Sequence, residues 1–367
     1  MNIPLLDLNA QYEGIIDEIK DEIDKVLRSH KYILGPQVKE FEEQMIAYAD
    51  SCNAIGCGSG TDALVLALKA LQIGKGDEVI TTPFTFFATA GAIHRVGATP
   101  VFADIIPETF NIDPDKIEKK ISSKTKAIMP VHLFGQAAEM DRIMAIAEKH
   151  NLKVVEDNAQ GIGCKFEGKF AGTIGDVGTL SFFPSKNLGA MGDGGMCLVK
   201  DDALAASIYK LRVHGEDPKY FHEWVGLNSR LDTLQAAVLM VKLPLLQGWS
   251  EARRENADYY YENLKDVKEI KLPVIHEKAY SIYNQFTIRA ERRDELQKFL
   301  QENGVGCAIY YPKALHLQDC FAYRGHKAGD FPNSEAASKE VLSIPIYSEL
   351  VTEQLAYVVE KIKEFYN

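Results

Sequence analysis

The chain lacks three things, and each absence removes a class of function. No apolar run approaches the roughly 18–20 residues that a membrane-spanning helix requires. Basic charge is not in excess: 41 Lys and Arg stand against 52 Asp and Glu, for a formal net charge of -11. That balance argues against sequence-independent nucleic-acid binding, which needs a basic face. It leaves room for a small anion, since a few local cations and helix N-termini outweigh a distant acidic surface. Paired cysteines are missing too. Cys52, Cys57, Cys164, Cys197, Cys307 and Cys320 form no CxxC, and no histidine spacing around them reads as a zinc site. Scattered thiols of this kind read as buried small hydrophobes in a reducing compartment. The opening stretch MNIPLLDLNAQYEG carries no basic segment followed by an apolar run, so no secretory signal is expected. The expectation is a cytoplasmic protein with no metal, membrane or nucleic-acid partner.

At 367 residues, 46% hydrophobic and 25% charged, the chain has material for an enzyme-sized core and more than one domain. Short apolar runs at Glu78–Thr82, Thr99–Ala103, Ala127–Val131, Lys153–Val155, Gly178–Phe183 and Gly195–Val199 read as strands. Helical stretches at Thr61–Leu71, Phe87–Val96 and Met140–His150 lie between several of them, with Leu64, Ala67, Leu68 and Leu71 on one face of the first. Strands alternating with helices predict an α/β fold with a mainly parallel sheet covered on both faces. An N-terminal helix carries Ile15, Ile19, Ile23 and Leu27 along one side, and the texture changes after Trp249. The division expected is a large domain over 1–248, its N-terminal helix near the small domain, and a small α+β domain over 249–367.

In open α/β sheets, ligands bind beyond the carboxyl ends of the strands, and four features fall there. Gly56-Cys57-Gly58-Ser59-Gly60-Thr61-Asp62 leads into a helix and offers free N–H groups to a phosphate; read alone, it is equally a glycine-rich turn. Val154-Val155-Glu156-Asp157-Asn158-Ala159-Gln160 sets a carboxylate at a strand end, where it pairs with a cationic ring nitrogen, caps a helix or ligates Mg²⁺. Ser181-Phe182-Phe183-Pro184-Ser185-Lys186 sets a lysine among aromatic residues and a proline. It is either a solvated charge or a desolvated amine with a lowered pKa, ready to form an imine. Gly226-Leu227-Asn228-Ser229-Arg230-Leu231-Asp232 opens a helix, with Asn228 and Arg230 as cap and surface charge or as anion ligands.

Taken in this order, together with Tyr32-Ile33-Leu34-Gly35-Pro36, Pro83-Phe84-Thr85-Phe86, Gly192-Asp193-Gly194-Gly195 and Tyr311-Pro312, the chain resembles the DegT/DnrJ/StrS family of sugar aminotransferases. The resemblance covers essentially the whole chain. It implies the pyridoxal-phosphate (PLP) transferase fold type I, built like aspartate aminotransferase, with pyridoxamine phosphate as the alternate cofactor form. It implies that Lys186 holds the cofactor as a Schiff base, Asp157 pairs with the pyridine nitrogen, Gln160 meets the ring hydroxyl and Phe86 stacks on the ring. Gly60, Thr61 and Ser181 would hold the phosphate, and Asn228 would reach it from the second subunit of a homodimer. Asn158 departs from the alanine more usual there. Relatives that dehydrate sugars replace the lysine with histidine, so Lys186 points to amination.

The stretch Val213-His214-Gly215-Glu216-Asp217-Pro218-Lys219-Tyr220 looks like the branch that aminates C3 of a 3-oxo sugar. Its His214-Gly215 form is similar to enzymes of UDP-linked 2-acetamido-3-oxo sugars, including the glucuronate type. The implied substrates are such a nucleotide sugar and L-glutamate. Arg230, with Lys219 or His214, would meet a uronate carboxylate, although Tyr310 stands where uronate enzymes resemble His-Tyr-Pro. Tyr310, Tyr311 and His316 are candidates for the sugar pocket or for bracing the small domain. Lys186→Ala should abolish turnover yet still bind pyridoxamine phosphate; full activity in a steady-state transamination assay would refute the role of Lys186.

Overall fold

The computed structural model describes residues 1–367. Its strands in chain order are β1 (Asn53–Cys57), β2 (Glu78–Thr81), β3 (Thr99–Phe102), β4 (Thr125–Ile128), β5 (Lys153–Asp157), β6 (Lys165–Phe166) and β7 (Lys169–Phe170). They continue with β8 (Val177–Ser181), β9 (Gly195–Val199), β10 (Ile270–Lys271), β11 (Ala279–Tyr280), β12 (Phe286–Ala290) and β13 (Val341–Ile344). The main sheet has seven strands in the order β1-β9-β8-β5-β4-β2-β3. Strand β9 runs against its neighbours β1 and β8. The pairs from β8 through β5, β4 and β2 to β3 are parallel. This is the mainly parallel α/β sheet that the alternation of strands and helices predicts. Strand β1 is the one the apolar runs did not reveal, since Asn53-Ala54-Ile55-Gly56-Cys57 holds few large apolar residues.

Crossover helices cover the sheet because parallel neighbours cannot be joined by a tight turn. The helix Gly60–Ala70 is capped by Ser59, whose hydroxyl accepts the Asp62 N–H at 3.1 Å. It departs from the one-sided pattern read from its sequence: Ala63, Leu64, Val65, Leu66, Ala67 and Leu68 are all buried, while Leu71 is only half-buried. The reason is that helices Ala88–Arg95 and Asp202–Leu211 flank it above the sheet, so it has almost no solvent face.

A second sheet, β10-β12-β13, packs with helices Arg293–Glu302 and Thr352–Tyr366 around Tyr260, Phe286, Leu296 and Ile362. Ile3 joins that core through a bridge to Val305, while the helix Ile16–Ser29 lies along Thr233–Lys242. The 19-residue helix Leu246–Leu264 starts in the core under the main sheet and ends in the second core. A further tie is Asp104, just past β3. Its carboxylate accepts the backbone N–H groups of Asn333 and Ser334 and the Ser334 hydroxyl. It thereby caps the helix Pro332–Glu340 from another part of the chain. No helix is long and apolar enough to cross a membrane.

Candidate active site

The carboxyl ends of β1, β2, β5 and β8 converge on one cavity of about 450 Å³. Ser59, Gly60 and Thr61 line it at the start of the helix Gly60–Ala70, and Ser181 lines it at the end of β8. The two segments touch. A Cβ at Gly60 would sit 2.7 Å from Ser181 Cβ, so only glycine fits this close approach. No hydrogen bond within the fold engages the Gly60 or Thr61 amide. With the adjacent hydroxyls, these amides form an anion cradle at a helix start. Ser229, which the sequence reading left without a role, fixes the turn. Its hydroxyl donates to Asp62 Oδ2 at 2.8 Å and accepts the Gly58 N–H at 3.0 Å.

Strand alternation separates the two acids of β5 onto opposite faces. Glu156 points away from the cavity. It accepts the backbone N–H groups of Gly172, Ile174 and Gly175, and it pairs with His132 Nε2 at 2.8 Å. His132 Nδ1 accepts the Ala138 N–H at 3.1 Å, which leaves the ring proton on Nε2 to face Glu156. These bonds outweigh burial and hold the Glu156 pKa down. Breaking such a buried pair costs about 3–5 kcal/mol, which marks Glu156 as structural.

Asp157 points into the cavity. It has fewer partners: the Thr89 hydroxyl donates to Oδ2 at 2.7 Å, and the Ala159 N–H to Oδ1 at 3.2 Å. Burial therefore pushes its pKa up. Asn158 turns aside. Its side-chain amide donates to the Ala171 carbonyl at 2.6 Å, so it braces the loop before β8 and does not contact the Asp157 carboxylate.

Lys186 lies on the loop after β8, and the loop is clamped at both ends. Asn187 donates to the Ile282 carbonyl at 3.2 Å and accepts from Asn284 at 2.8 Å. At Gly189, any Cβ would collide with the Pro184 carbonyl, so the tight loop requires glycine. The Gly189 carbonyl accepts from Lys242 Nζ at 2.5 Å. Lys242 is itself buried, between the rings of Tyr12 and Trp249, and burial lowers its pKa to about 8. None of these bracing residues was singled out from the sequence, because every partner is distant along the chain.

The structure brings together Gly60, Thr61, Phe86, Asp157, Gln160, Ser181, Lys186, Tyr310 and Tyr311 around the cavity. The Phe86 ring is 57% exposed, so a face is available to a flat ligand. Gln160 accepts the Phe134 N–H at 2.8 Å and donates to the Tyr311 hydroxyl at 2.8 Å, which fixes its orientation. Other candidates do not line this cavity. His316 is buried against Phe331 and pairs with Glu335 at 3.1 Å, because the turn Leu315–Leu317 carries it into the packing behind the wall. The pocket role considered for His316 is therefore corrected to a bracing one.

His214, Lys219, Asn228 and Arg230 lie on or beside an excursion closed by a Val213–Asn228 bridge, outside their own chain's cavity. His214, Lys219 and Asn228 are exposed, with Lys219 over the Tyr220 ring, and Arg230 is partly exposed.

The donor set fits pyridoxal phosphate. An anion cradle, an exposed aromatic face, a buried carboxylate short of partners and a half-buried lysine surround one cavity. Desolvation lowers the Lys186 pKa from the usual 10.5 to about 8, against the opposing pull of Asp157. The neutral, nucleophilic share near pH 7 rises by roughly two orders of magnitude. In protein stripped of cofactor, modification of Lys186 by an amine-selective reagent should rise with pH around a midpoint of about 8. Asp157→Asn removes the charge that favours the ammonium, so its midpoint should be lower still. A wild-type midpoint at the ordinary lysine value would contradict this environment.

A family model described as the DegT/DnrJ/EryC1/StrS aminotransferase family matches residues 13–363. Among curated relatives, a Geobacillus stearothermophilus protein named pleiotropic regulatory protein is 53% identical, over 100% of this chain and 99% of its own. An Acidithiobacillus ferrooxidans protein named UDP-N-acetyl-3-dehydro-alpha-D-glucosamine 3-aminotransferase is 43% identical, over 98% and 97%. A Streptomyces venezuelae protein named dTDP-3-amino-3,4,6-trideoxy-alpha-D-glucose transaminase is 40% identical, over 99% and 96%. The crystal structure of S. venezuelae DesV with a ketimine intermediate superposes with a TM-score of 0.98 at 40% identity, covering 100% of this chain and 99% of that one. That of NtdA from Bacillus subtilis with bound cofactor PMP gives 0.92 at 33%, covering 99% and 85%. The chain belongs to the DegT/DnrJ/EryC1/StrS aminotransferase family and is a PLP-dependent sugar aminotransferase of fold type I.

Proposed function

We propose that this enzyme aminates C3 of a UDP-linked 2-acetamido-2-deoxy-3-oxo-glucose or its uronate, with L-glutamate as donor, for cell-surface glycan synthesis in the cytoplasm. When bound, PLP supplies the electron sink that lets an amino group leave one carbon and arrive on another. Lys186 bonds the cofactor at rest. Its free amine would carry the proton between the donor α-carbon and the cofactor's C4′. Asp157 holds a positive charge on the ring nitrogen, and a cationic partner offsets the burial that raises its pKa. Gln160 meets the ring hydroxyl, and Phe86 covers a ring face. The Gly60 and Thr61 amides and the Ser181 hydroxyl bind the phosphate.

The observation that carries the shared-site part of the reading is the excursion from Val213 to Asn228. It exposes Tyr220, Phe221 and Val225 (77, 68 and 87%), while its polar residues stay outside their own cavity. Exposed apolar groups of this size mark an interface. The reading is a homodimer in which Asn228 and Arg230 serve the partner subunit's cavity, Asn228 at the phosphate and Arg230 at the sugar side, with His214 and Lys219 nearby. The His214-Gly215 form and the 43% identical UDP-sugar relative support the UDP-linked 3-oxo branch. A dTDP-3-oxo-6-deoxyhexose is the alternative, and the 40% identical relative is its support. A purely regulatory role, suggested by the name of the 53% identical relative, has Lys186, Asp157 and Gln160 in one cavity against it.

Amination measured side by side on UDP-3-oxo-GlcNAc, its uronate, and dTDP-linked 3-oxo and 4-oxo 6-deoxyhexoses should give the highest kcat/KM with a UDP-linked 3-oxo sugar. A preference for a 4-oxo substrate overturns the branch. Co-expressed Lys186→Ala and Asn228→Ala chains should form hybrid dimers with one intact site. Those hybrids should be markedly more active than either parent, and absence of complementation overturns the shared site.

A further inference from the structure

One polar side chain in the cavity wall has no work in the mechanism above. Gln285 stands one residue beyond Asn284, whose amide clamps Asn187 beside Lys186 at 2.8 Å. Its own backbone N–H donates to the Phe134 carbonyl at 3.4 Å, and the Phe134 N–H donates to Gln160. The main chain of Gln285 is thus tied to the same scaffold as the lysine loop and Gln160. Its side-chain oxygen, by contrast, is buried without a hydrogen-bond partner. A buried amide oxygen without a donor is costly unless a ligand supplies one.

The cavity's charges sharpen what that ligand is. Lys186 is the only cation in the lining, and no arginine of the same chain reaches it. A two-stage amino transfer must admit an amino acid bearing carboxylates and then a sugar ring bearing hydroxyls into one space. A primary amide donates from nitrogen and accepts at oxygen, so a carboxylate meets its nitrogen alone, while a hydroxyl also donates to the unpartnered oxygen.

We propose that Gln285 is a specificity-determining residue that meets both substrates in turn, donating to a carboxylate of the amino donor and exchanging hydrogen bonds with a hydroxyl of the sugar. This rests on the two-substrate reading above, and not on which sugar is used.

The test compares Gln285→Met and Gln285→Glu with wild type as holoenzymes. Binding of glutarate, a dicarboxylate that cannot react, is read by calorimetry. The donor half-reaction with L-glutamate is followed in single turnover through the cofactor's visible band, and the sugar half-reaction is followed with whichever keto-sugar the panel prefers. Gln285→Met should weaken glutarate and raise the half-saturating glutamate concentration by about tenfold, the scale of one lost charge-assisted hydrogen bond. Gln285→Glu should weaken both further, to roughly a hundredfold, by setting like charges together, while changing the sugar half-reaction less than tenfold because a carboxylate still accepts from a hydroxyl.

Unchanged glutarate affinity in both variants overturns the proposal. So does an equal effect of Gln285→Glu on the donor and sugar stages, or loss of the cofactor band with donor binding intact. The glutarate and glutamate arms involve no sugar, so failure of every UDP-sugar would count against the substrate assignment alone.

Discussion

Two opposite charges share one poorly solvated cavity without touching, and the rest of the site depends on that separation. Asp157 and Lys186 feel each other electrostatically, but no direct ion pair joins them. Direct contact would fix the lysine as an ammonium and satisfy the carboxylate, leaving neither free for a cofactor. Held apart, the amine is shifted toward its neutral form and the carboxylate remains short of partners. Under the proposed reading, pyridoxal phosphate would answer both needs, with a carbonyl carbon for the amine and a ring nitrogen for the acid.

Holding two charges apart takes rigidity on both sides, and the chain provides it by different means. On the acid side, strand pleating turns Glu156 the other way, where three backbone amides and His132 anchor the end of β5. On the lysine side there is no regular element, so the loop is clamped side chain by side chain through Asn187, Asn284 and the Gly189 carbonyl. Lys242 supplies the last clamp from the end of the helix Thr233–Lys242. Its charge is buried against a carbonyl and two aromatic faces, a costly device that is retained where a loop must not drift.

What was legible in the sequence follows from how local each feature is. Lys186, Asp157, Gln160, Phe86 and the Gly60-Thr61 turn each sit in a short segment at a strand end, and a parallel sheet brings strand ends together at one edge. That placement covers the Gly60-Thr61 turn, Asp157, Gln160 and Lys186, whereas Phe86 and the individual roles rest on the family resemblance. The helix Gly60–Ala70 was misjudged as one-sided because burial from neighbouring helices is a tertiary effect. Strand β1 escaped notice because it owes its place to pairing along β9, not to large apolar residues. His316 follows Tyr310 and Tyr311 closely in sequence, yet a single turn sends it behind the wall. Ser229 is separated by 171 residues from Gly58, whose N–H it accepts, and no periodicity records a bond of that kind.

The excursion beyond Val213 separates the groups that line the chain's own cavity from polar residues that do not reach it. Most of the groups that would hold a flat phosphorylated cofactor converge within the chain, and the anion cradle is fixed by the chain's own Ser229. The polar residues next to Ser229 do not join it in that cavity. Asn228 and Arg230 flank a residue tied to the cradle, yet alternation along an extended segment turns their side chains elsewhere. The cradle is thus local and rigid, while Asn228 and Arg230 lie beside a surface loop bearing exposed aromatic residues. A fold arranged in this way lets the excursion vary without disturbing the spacing between Asp157 and Lys186.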